Sequence, residues 1–344
     1  MDTIEGIIQK KAYELGYEKC GIIPIDLMDE YAVKFNERIE KIPKSKMFYQ
    51  SQQRLVNPKE IYPWAKSVVV LTVPYGKYKV PKILNGLIAK AYLFDTRIDK
   101  NTKEYQNSRE LEKYMHGLGL KVATDRKFGV VGMRWAALQA GVGIIRRNNF
   151  LYTEAGSWVH LEAWLTDREM ELKETNNVVQ CPKSCNRCIA SCPTKSLSAP
   201  YTMSPTECIS FLTTFGGGRN LQQQPLSKTF GNCIYGCEIC QDACPMNNGK
   251  WKGNEDFPGL EDLSPSLTPE NILNMEENFY RERIQPKFFY LSPEDLWKWK
   301  VDALCYMSNN YKEIYKPLII NSCNHENIKI REMACSICEE LCLN

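Results

Sequence analysis

This sequence contains little histidine, no long apolar run and no large excess of either charge. Its three histidines among 344 residues argue against a metal site built from several imidazoles. No stretch approaches the roughly 18 uninterrupted apolar residues of a membrane-spanning helix, and residues 1–5 lack the basic and then apolar order of a signal peptide. Because 44 Lys and Arg face 41 Asp and Glu, the formal charge is only +3. We therefore expect a cytoplasmic protein without membrane contact.

The common fingerprints of nucleotide and corrinoid binding are also missing. The sequence has no Gly-rich dinucleotide loop, no P-loop and no Asp-x-His-x-x-Gly motif that would place a histidine under cobalt. Its composition, 43% hydrophobic and 25% charged, is that of an ordinary globular protein. The length suggests two or three domains at roughly 150 residues each.

Cysteine, in contrast, is abundant and unevenly distributed. The chain has 15 cysteines, and a reducing compartment does not sustain a disulfide framework of that size. One cysteine precedes Cys181, nine lie between Cys181 and Cys244, and five follow from Cys305 to Cys342. This distribution predicts three regions with boundaries at 1–176, 177–253 and 254–344.

The first region shows mixed helix and strand periodicity, so we predict an α+β protein overall. The last region opens with a Pro/Ser-rich linker over 258–269 and then becomes helical. Helices are predicted over 4–15, 108–118 and 133–140, and strands over 67–73, 121–124 and 158–165.

The middle region contains an internal repeat of cysteines. Each block ends C-x2-C-x3-C-P, the bacterial ferredoxin pattern in which the Cys before Pro ligates the neighbouring [4Fe-4S] cluster. Two clusters are therefore predicted. The first takes Cys181, Cys185, Cys188 and Cys244, and the second takes Cys192, Cys237, Cys240 and either Cys208 or Cys233.

Other interpretations of the cysteines are weaker. A zinc ribbon would also use separated C-x2-C pairs, but zinc does not explain the two Cys-Pro endings. Cys20 and Cys305 are expected to be small buried hydrophobes. Cys335, Cys338 and Cys342 recur at i, i+3 and i+7 with no proline, which predicts a core-facing helical stripe and no third cluster.

A two-cluster module transfers single electrons, so the remaining half of the chain is expected to receive them. The residues alone lead to an iron-sulfur reductase with an unidentified acceptor. One alternative is a ferredoxin-like electron-transfer protein whose first domain docks a partner enzyme. Another is a flavin-linked iron-sulfur reductase of a small molecule. The Trp- and Gly-rich segment 135–164 argues against a pure carrier, which has no need of it.

Several segments resemble the epoxyqueuosine reductase family, which is related to reductive dehalogenases. They are Ala-Gly-Val-Gly-Ile-Ile-Arg-Arg-Asn-Asn at 140–149, Gly-Ser-Trp-Val at 156–159, Cys-Ile-Ser-Phe-Leu-Thr at 208–213 and Tyr-Gly-Cys-Glu-Ile-Cys-Gln-Asp-Ala-Cys-Pro at 235–245. Segments 302–309 and 330–334 are similar to the helical end of that family. The resemblance thus extends over all three regions.

The resemblance implies a nitroreductase-like α/β domain, a two-[4Fe-4S] ferredoxin module and a HEAT-like helical end. It implies a base-off cobalamin held between the first domain and the clusters, and it favours Cys208 as the eighth cluster ligand. Asp125 would be the proton donor. The implied cofactor-binding residues are Arg147, Asn148, Ser157, Trp158, Cys208 and Tyr235.

The implied reaction is reduction of epoxyqueuosine in tRNA to queuosine through Co(I), by a monomer that takes electrons from a ferredoxin or flavodoxin. The family's Gly-Arg-Asp-Tyr-His segment is missing near 89–98, so a related small-molecule or tRNA anticodon-loop substrate is an alternative. Segment 97–147 carries eleven Lys and Arg against five Asp and Glu. Such a patch could hold tRNA phosphates or the cobalamin periphery.

Overall fold

The computed structural model describes residues 3–215 and 224–343. Its main sheet has four antiparallel strands in the order β1-β2-β6-β3, and two small two-stranded sheets pair β4 with β5 and β7 with β8. The strands are β1 Lys19–Pro24, β2 Ser67–Pro74, β3 Val122–Ala123, β4 Ile144–Ile145, β5 Leu151–Tyr152, β6 Val159–Thr166, β7 Leu197–Ala199 and β8 Thr202–Met203.

The two long central strands follow the apolar runs of the sequence. β2 is buried on both faces because it is a continuous Val-Val-Val-Leu run covered by helices on either side. It pairs with β6 so that Val69 lies opposite Trp164 and Val70 opposite Ala163. The strands predicted at 67–73 and 158–165 are confirmed to within one residue at each end.

Helices cover both faces of this sheet. One face packs against α7 through Val70 and Ala163, and the other packs against α1 and α6 through Val69 and Trp164. The first region is therefore a helix-sheet-helix sandwich. Its helices are α1 Ile4–Glu14, α2 Met28–Lys41, α3 Lys46–Gln50, α4 Pro58–Ile61, α5 Lys90–Leu93, α6 Lys103–Gly117 and α7 Met133–Gln139.

Helix α6 begins five residues before the predicted start at 108. Thr102 caps it, since its hydroxyl accepts a hydrogen bond from the Tyr105 backbone amide at 3.3 Å. Thr3 caps α1 in the same way through the Gly6 amide. The predicted helices over 4–15 and 133–140 and the short strand over 121–124 are all present.

In its described residues, 177–215 and 224–253, the middle region has the small β7-β8 sheet and short helices joined by turns, as expected where Cys, Pro and Gly are frequent. The helices are α8 Arg187–Ala190, α9 Ile209–Thr214, α10 Gln224–Ser227 and α11 Ile239–Asp242. Short 3-10 helices connect elements along the chain at Ile25–Leu27, Pro43–Ser45, Gln53–Leu55, Lys82–Leu84, Pro205–Glu207, Pro245–Asn247, Ser264–Leu267 and Glu313–Tyr315.

The last region is helical from Leu260 onward. The stretch 258–269, predicted as a linker, instead forms helical turns whose Leu260 and Leu267 are buried. A π-helical turn at Tyr280–Ile284 follows α14. The helices are α12 Leu260–Leu263, α13 Pro269–Leu273, α14 Glu277–Phe279, α15 Leu296–Asn309, α16 Lys316–Ser322 and α17 Ile328–Leu341.

One apolar core joins the three regions. It contains Tyr75 and Trp158 of the first region, Tyr235 of the middle region, and Phe288 and Trp299 of the last. The Tyr235 ring lies 5.1 Å from that of Phe288 and 5.7 Å from that of Trp299, measured between centroids. The middle region is therefore held between the other two.

Outside the middle region, the cysteines divide into buried and accessible ones. Cys20 and Cys305 are buried, as predicted. The prediction that Cys335, Cys338 and Cys342 form a core-facing stripe is confirmed only for Cys338, which is half-buried and packs against the core of the last region. The buried face of α17 carries Ile330, Met333, Ala334 and Ile337, whereas Cys335 is half-buried at its edge and Cys342 is exposed.

Within residues 3–215 and 224–343, no helix has both the length and the apolar character needed to cross a membrane.

Candidate metal centre and active site

Four cysteines from the two sequence blocks line one cavity. Cys181, Cys185 and Cys188 come from the first block, and Cys244 comes from the second. The pKa of the Cys188 thiol is raised by burial and by its neighbours Cys244 and Cys181. We call this set the first cysteine group. The structure thus brings together the four residues that the ferredoxin pattern assigns to one cluster.

A second cysteine group forms around Cys240, which lies in α11. Burial raises the Cys240 pKa, and Cys237, Cys208 and Cys192 raise it further because their negative charges lie close by. Burial, with Cys237 and Cys192, also raises the pKa of Cys208 to about 11. Placing several thiolates in one buried site costs free energy, because they lose hydration and their negative charges repel one another. A cationic iron-sulfur core would offset this cost.

The two candidates for the eighth ligand both lie beside Cys237. Cys208 interacts with Cys192, Cys237 and Cys240, which are the other members of the second cysteine group. Cys233 forms a hydrogen bond with Cys237, and this bond is the largest cause of the raised Cys237 pKa. Since Cys188 of the first group also acts on Cys240, the two groups are neighbours.

Arg147 and Asn148, predicted to bind cobalamin, contact the cysteine loops in this structure. The Arg147 guanidinium donates to the carbonyl of Cys185 and to that of Lys183, both at 2.7 Å. The Asn148 amide donates to the Cys240 carbonyl at 3.1 Å and to the Tyr152 hydroxyl at 2.9 Å. Two consecutive side chains therefore position both cysteine groups against the first region.

Ser157 takes part in a buried polar network with the second cysteine block. Its hydroxyl accepts hydrogen bonds from the side-chain amides of Gln241 and Asn247, each at 2.9 Å. Its backbone amide donates to Asn247 Oδ1 at 2.8 Å. Trp158 follows it into the shared core, where the Lys90 ammonium lies 4.5 Å from the centroid of its ring.

Lys90 links the first region to the second cysteine group, and sequence reasoning missed it. Its Nζ lies 2.5 Å from Glu238 Oε1, and its backbone amide donates to Glu238 Oε2 at 2.8 Å. Both side chains are about 15% exposed, and Glu238 directly follows Cys237. No motif marks Lys90 in the sequence, because its importance comes only from the tertiary contact.

Tyr235 is fully buried, and its hydroxyl donates to the Phe288 carbonyl at 3.3 Å. Its ring makes an edge contact with Tyr92 at 5.0 Å. The Tyr92 hydroxyl lies 2.9 Å from Ser210 Oγ, two residues after Cys208. Tyr235 and Tyr92 therefore border the second cysteine group.

Asp125 occupies a turn after β3. Its Oδ1 accepts hydrogen bonds from the backbone amides of Lys127 and Phe128, both at 3.0 Å. Its Oδ2 lies 3.6 Å from the Arg54 guanidinium. This half-exposed carboxyl also acts electrostatically on Tyr290, whose pKa is raised mainly by burial.

Six aromatic side chains form a rim that borders Asp125 at Phe128 and Tyr290. Its neighbouring rings have centroids 5.3 to 6.0 Å apart, apart from the closer Phe289 and Tyr290 at 4.5 Å. Cations flank it, with Arg54 5.8 Å from the Phe128 ring and Lys127 5.4 Å from the Phe289 ring. The rim consists of Phe48, Phe128, Phe211, Phe215, Phe289 and Tyr290.

A buried ion pair lies near Tyr290. The Arg97 guanidinium binds Asp95 through Nε at 2.9 Å and through Nη2 at 2.6 Å. Despite burial, Arg97 holds the Asp95 pKa below its usual value. This pair occupies the segment where the family's Gly-Arg-Asp-Tyr-His motif is missing. The rim, Asp125 and the second cysteine group thus converge from all three regions.

The three histidines do not gather at this place. His116 Nδ1 lies 3.2 Å from the Leu120 carbonyl, and His325 Nδ1 accepts from the Asn327 amide at 3.0 Å. His160 is buried, with Nε2 3.0 Å from the Ala91 carbonyl. Each ring thus contacts backbone at a different place in the fold.

Comparison with known proteins identifies the class of the middle region. The family model of a 4Fe-4S double cluster binding domain matches residues 180–247. This match includes all eight members of the two cysteine groups. The chain is therefore an iron-sulfur protein with a double-cluster module.

Whole-chain comparisons identify the family. An epoxyqueuosine reductase of Cyclobacterium marinum is 30% identical over 283 residues, which make up 78% of this chain and 89% of the relative. The chain belongs to the epoxyqueuosine reductase family and is an oxidoreductase. This result sets aside the electron-carrier alternative.

Solved structures of the family share the fold. The epoxyqueuosine reductase of Streptococcus thermophilus superposes with a TM-score of 0.76 at 22% identity, covering 98% of this chain and 90% of that one. An epoxyqueuosine reductase with an epoxyqueuosine-modified tRNA-Tyr stem loop gives 0.73 at 21%, covering 96% and 88%. At this identity the likeness establishes the fold.

Proposed function

We propose that this chain reduces epoxyqueuosine in the anticodon loop of tRNA to queuosine, as a cytoplasmic monomer. It would use two [4Fe-4S] clusters and a base-off cobalamin, with a ferredoxin or flavodoxin as the external electron donor. The single observation that carries the proposal is the convergence of the second cysteine group, the aromatic rim and Asp125. In this proposal the three features would serve as the electron source, the docking surface and the proton donor.

The cluster assignment rests on the exchange of cysteines between blocks. Cys244 lies with the first cysteine group, and Cys192 lies with the second. This exchange is the arrangement that the Cys-Pro endings require of two adjacent [4Fe-4S] clusters. Cys208 is proposed as the eighth ligand because it interacts with three members of the second group.

Cobalamin would lie between the first region and the cysteine groups, with Tyr235 and Cys208 on the cluster side. Arg147, Asn148, Ser157 and Trp158 would shape this boundary through the contacts described above. When bound, the cobalamin would supply a Co(I) centre that reduces the substrate. The sandwich of the first region is proposed to be nitroreductase-like, and the helical end to be HEAT-like.

Asp125 is proposed to deliver the proton through Oδ2. Its Oδ1 is occupied by two backbone amides, which fix the carboxyl and leave the other oxygen facing Arg54 and the rim. A general acid in this place would protonate an oxygen of the substrate as the bond to carbon breaks, help that is typically worth about 10² to 10⁴ in rate.

The rim supports a nucleic-acid substrate. Proteins recognise unpaired RNA bases by stacking them on aromatic rings, and Phe128 is 47% exposed with Arg54 beside it. Lys100, Lys103 and Lys127 of segment 97–147 are exposed and could contact phosphates. A family member has been solved with a modified tRNA stem loop, which agrees with this assignment.

Anaerobic reconstitution followed by turnover tests the proposal. About eight iron and eight sulfide per chain are expected, with one cobalt and a base-off Co(II) paramagnetic resonance signal that lacks nitrogen coupling. The reduced protein should convert an epoxyqueuosine stem loop to queuosine. A stem loop with unmodified guanine at the same position serves as the control.

Different failures have different meanings. Stoichiometric flavin without cobalt uptake would favour the flavin-linked alternative. If the protein contains both clusters and cobalamin but does not turn over epoxyqueuosine, a related substrate would be favoured. The structural reason would be that the ion pair of Asp95 and Arg97 stands where the family has its Gly-Arg-Asp-Tyr-His motif. Zinc without iron would refute the cluster assignment.

A further inference from the structure

Three thiols meet in the C-terminal helices, outside both cysteine groups. Cys323 lies at the end of α16, and Cys335 and Cys338 lie on α17. The Sγ atoms of Cys323 and Cys338 are 3.6 Å apart, and Cys323 also forms a hydrogen bond with Cys335. All three are free thiols. The family pattern of the double cluster does not involve them.

The geometry of the helices explains this meeting. Residues three apart on a helix share one side, so Cys335 and Cys338 both face α16. The core face of α17 is taken by larger apolar side chains, which leaves the cysteines at the edge of the helix pair. Each of the three is half-buried, so a small reagent can reach them.

The sulfur distance suits disulfide formation. A disulfide bond is about 2.05 Å long, so the Sγ atoms of Cys323 and Cys338 need to approach by about 1.5 Å, which side-chain rotation can supply. Burial and hydrogen bonds to its two neighbours raise the pKa of Cys323 to about 12. Cys323 therefore keeps its proton, and the attacking thiolate comes from α17.

We propose that Cys323 and Cys338 form a reversible disulfide, which makes the α16-α17 pair a site of thiol modification. A glutathione-type disulfide is the oxidant. The Cys338 thiolate attacks it, forms a mixed disulfide and releases one glutathione. Once Cys338 is in the mixed disulfide, Cys323 passes its proton to the released glutathione thiolate, attacks the Cys338 sulfur and releases the second glutathione. Two electrons pass from the cysteine pair to the oxidant, and two glutathione thiols result.

This bond would restrain α17, which contacts the middle region directly and through α15. Glu340 of α17 forms an ion pair with Lys228. Helix α15 packs against α17 in one apolar core, and its Asn309 donates to the Ser227 carbonyl at 2.8 Å. Both contacts reach the segment that precedes Cys233. The modification site is therefore mechanically connected to the cluster-bearing region, although it shares no residue with it.

Peptide mapping tests the inference on the full, cluster-loaded protein. The protein is treated anaerobically with oxidised glutathione, its free thiols are alkylated, and it is digested with trypsin without reduction. Cleavage after Lys312, Lys329 and Arg331 separates Cys323, in peptide 313–329, from the other three thiols, in peptide 332–344. The expected product is the two peptides joined by a disulfide, with a mass two hydrogen atoms below the sum of the two peptides. Fragmentation of this product in the mass spectrometer should place the bond on Cys338.

Two variants serve as controls. Cys342→Ser removes the exposed thiol of the same peptide and should leave the linked product unchanged, while Cys323→Ser should abolish it. No linked product in the native protein, or a bond on Cys335 or Cys342, would overturn the inference. Iron content in the same samples reports cluster loading separately, so loss of clusters and absence of the disulfide are distinguished.

Discussion

The role of Asp125 can be separated from that of its ion pair with Arg54 by one comparison. Asp125→Asn keeps an oxygen that can accept the two backbone hydrogen bonds. Its amide can neither release a proton as a carboxylic acid does nor carry a negative charge beside Arg54. Arg54→Gln removes the cation and leaves the carboxyl intact. If the carboxyl is a general acid, only the first change should reduce turnover strongly.

The expected magnitudes differ widely. The side chains of Arg54 and Asp125 are 37% and 35% exposed and 3.6 Å apart, so their pairing contributes at most about 1 kcal/mol to stability. Either variant should lower Tm by no more than about 4 °C. Loss of general acid catalysis lowers the rate about 10²- to 10⁴-fold, which corresponds to about 3 to 5 kcal/mol in activation free energy.

Single-turnover reduction of the epoxyqueuosine stem loop, with iron and cobalt measured in every sample, is the assay. We expect Asp125→Asn to retain both cofactors and to lose at least about 10²-fold in rate, and Arg54→Gln to stay within about tenfold of the native protein. Near-native turnover of Asp125→Asn would remove this residue from the mechanism. Equal large losses in both variants would show that the ion pair, rather than the proton, matters.

Three further predictions concern the clusters, an interface charge and a buried histidine. Cys208→Ala should lower iron from about eight to about four per chain while Cys233→Ala retains about eight, and the reverse result would transfer the ligand role to Cys233. Lys90→Met leaves the Glu238 carboxylate buried without its cation, so we expect the free energy of unfolding to fall by about 3 kcal/mol and Tm to decrease. An unchanged Tm would contradict this prediction. Burial lowers the pKa of His160 to about 4 in the folded protein. Between about pH 6.5 and pH 4 the unfolded chain therefore binds a proton at this histidine and the folded chain does not, so the free energy of unfolding decreases by up to about 3 kcal/mol as the pH falls through this range. His160→Gln should flatten that fall in thermal unfolding curves, and a parallel fall would refute the assignment.

The sheet could be predicted because its central strands are continuous apolar runs. β2 is a Val-Val-Val-Leu run, and its short length and its β-branched valines favour a buried strand over a buried helix. The start of α6 could not be located from apolar spacing, because the cap at Thr102 precedes the first buried residue, Ser108, by two turns. The order of the strands also required the structure, since pairing is decided by tertiary contacts.

The cysteines show both the strength and the limit of spacing rules. The ferredoxin pattern encodes its own partners, so seven of the eight members of the two cysteine groups could be assigned from their spacing alone. The spacing left Cys208 and Cys233 as alternatives for the eighth. The stripe on α17 carries no such information. An i, i+3, i+7 spacing fits any face of a helix. The core is centred on the adjacent face, which carries Met333 and Ile337, because burying these larger apolar side chains removes more apolar surface from water.

Arg147 and Asn148 show why a sequence motif alone does not define a residue's partner. Both side chains carry several donors, and a buried donor binds whichever carbonyl the fold places beside it. Here those carbonyls belong to Cys185 and Cys240, one in each cysteine group. Because the two side chains are consecutive, a single rigid segment of the first region sets the position of both groups relative to each other and to the site at Asp125. A substitution at either residue would therefore disturb the cysteine loops as well as any bound cobalamin, and cluster content must be measured before a change in cobalamin binding is interpreted.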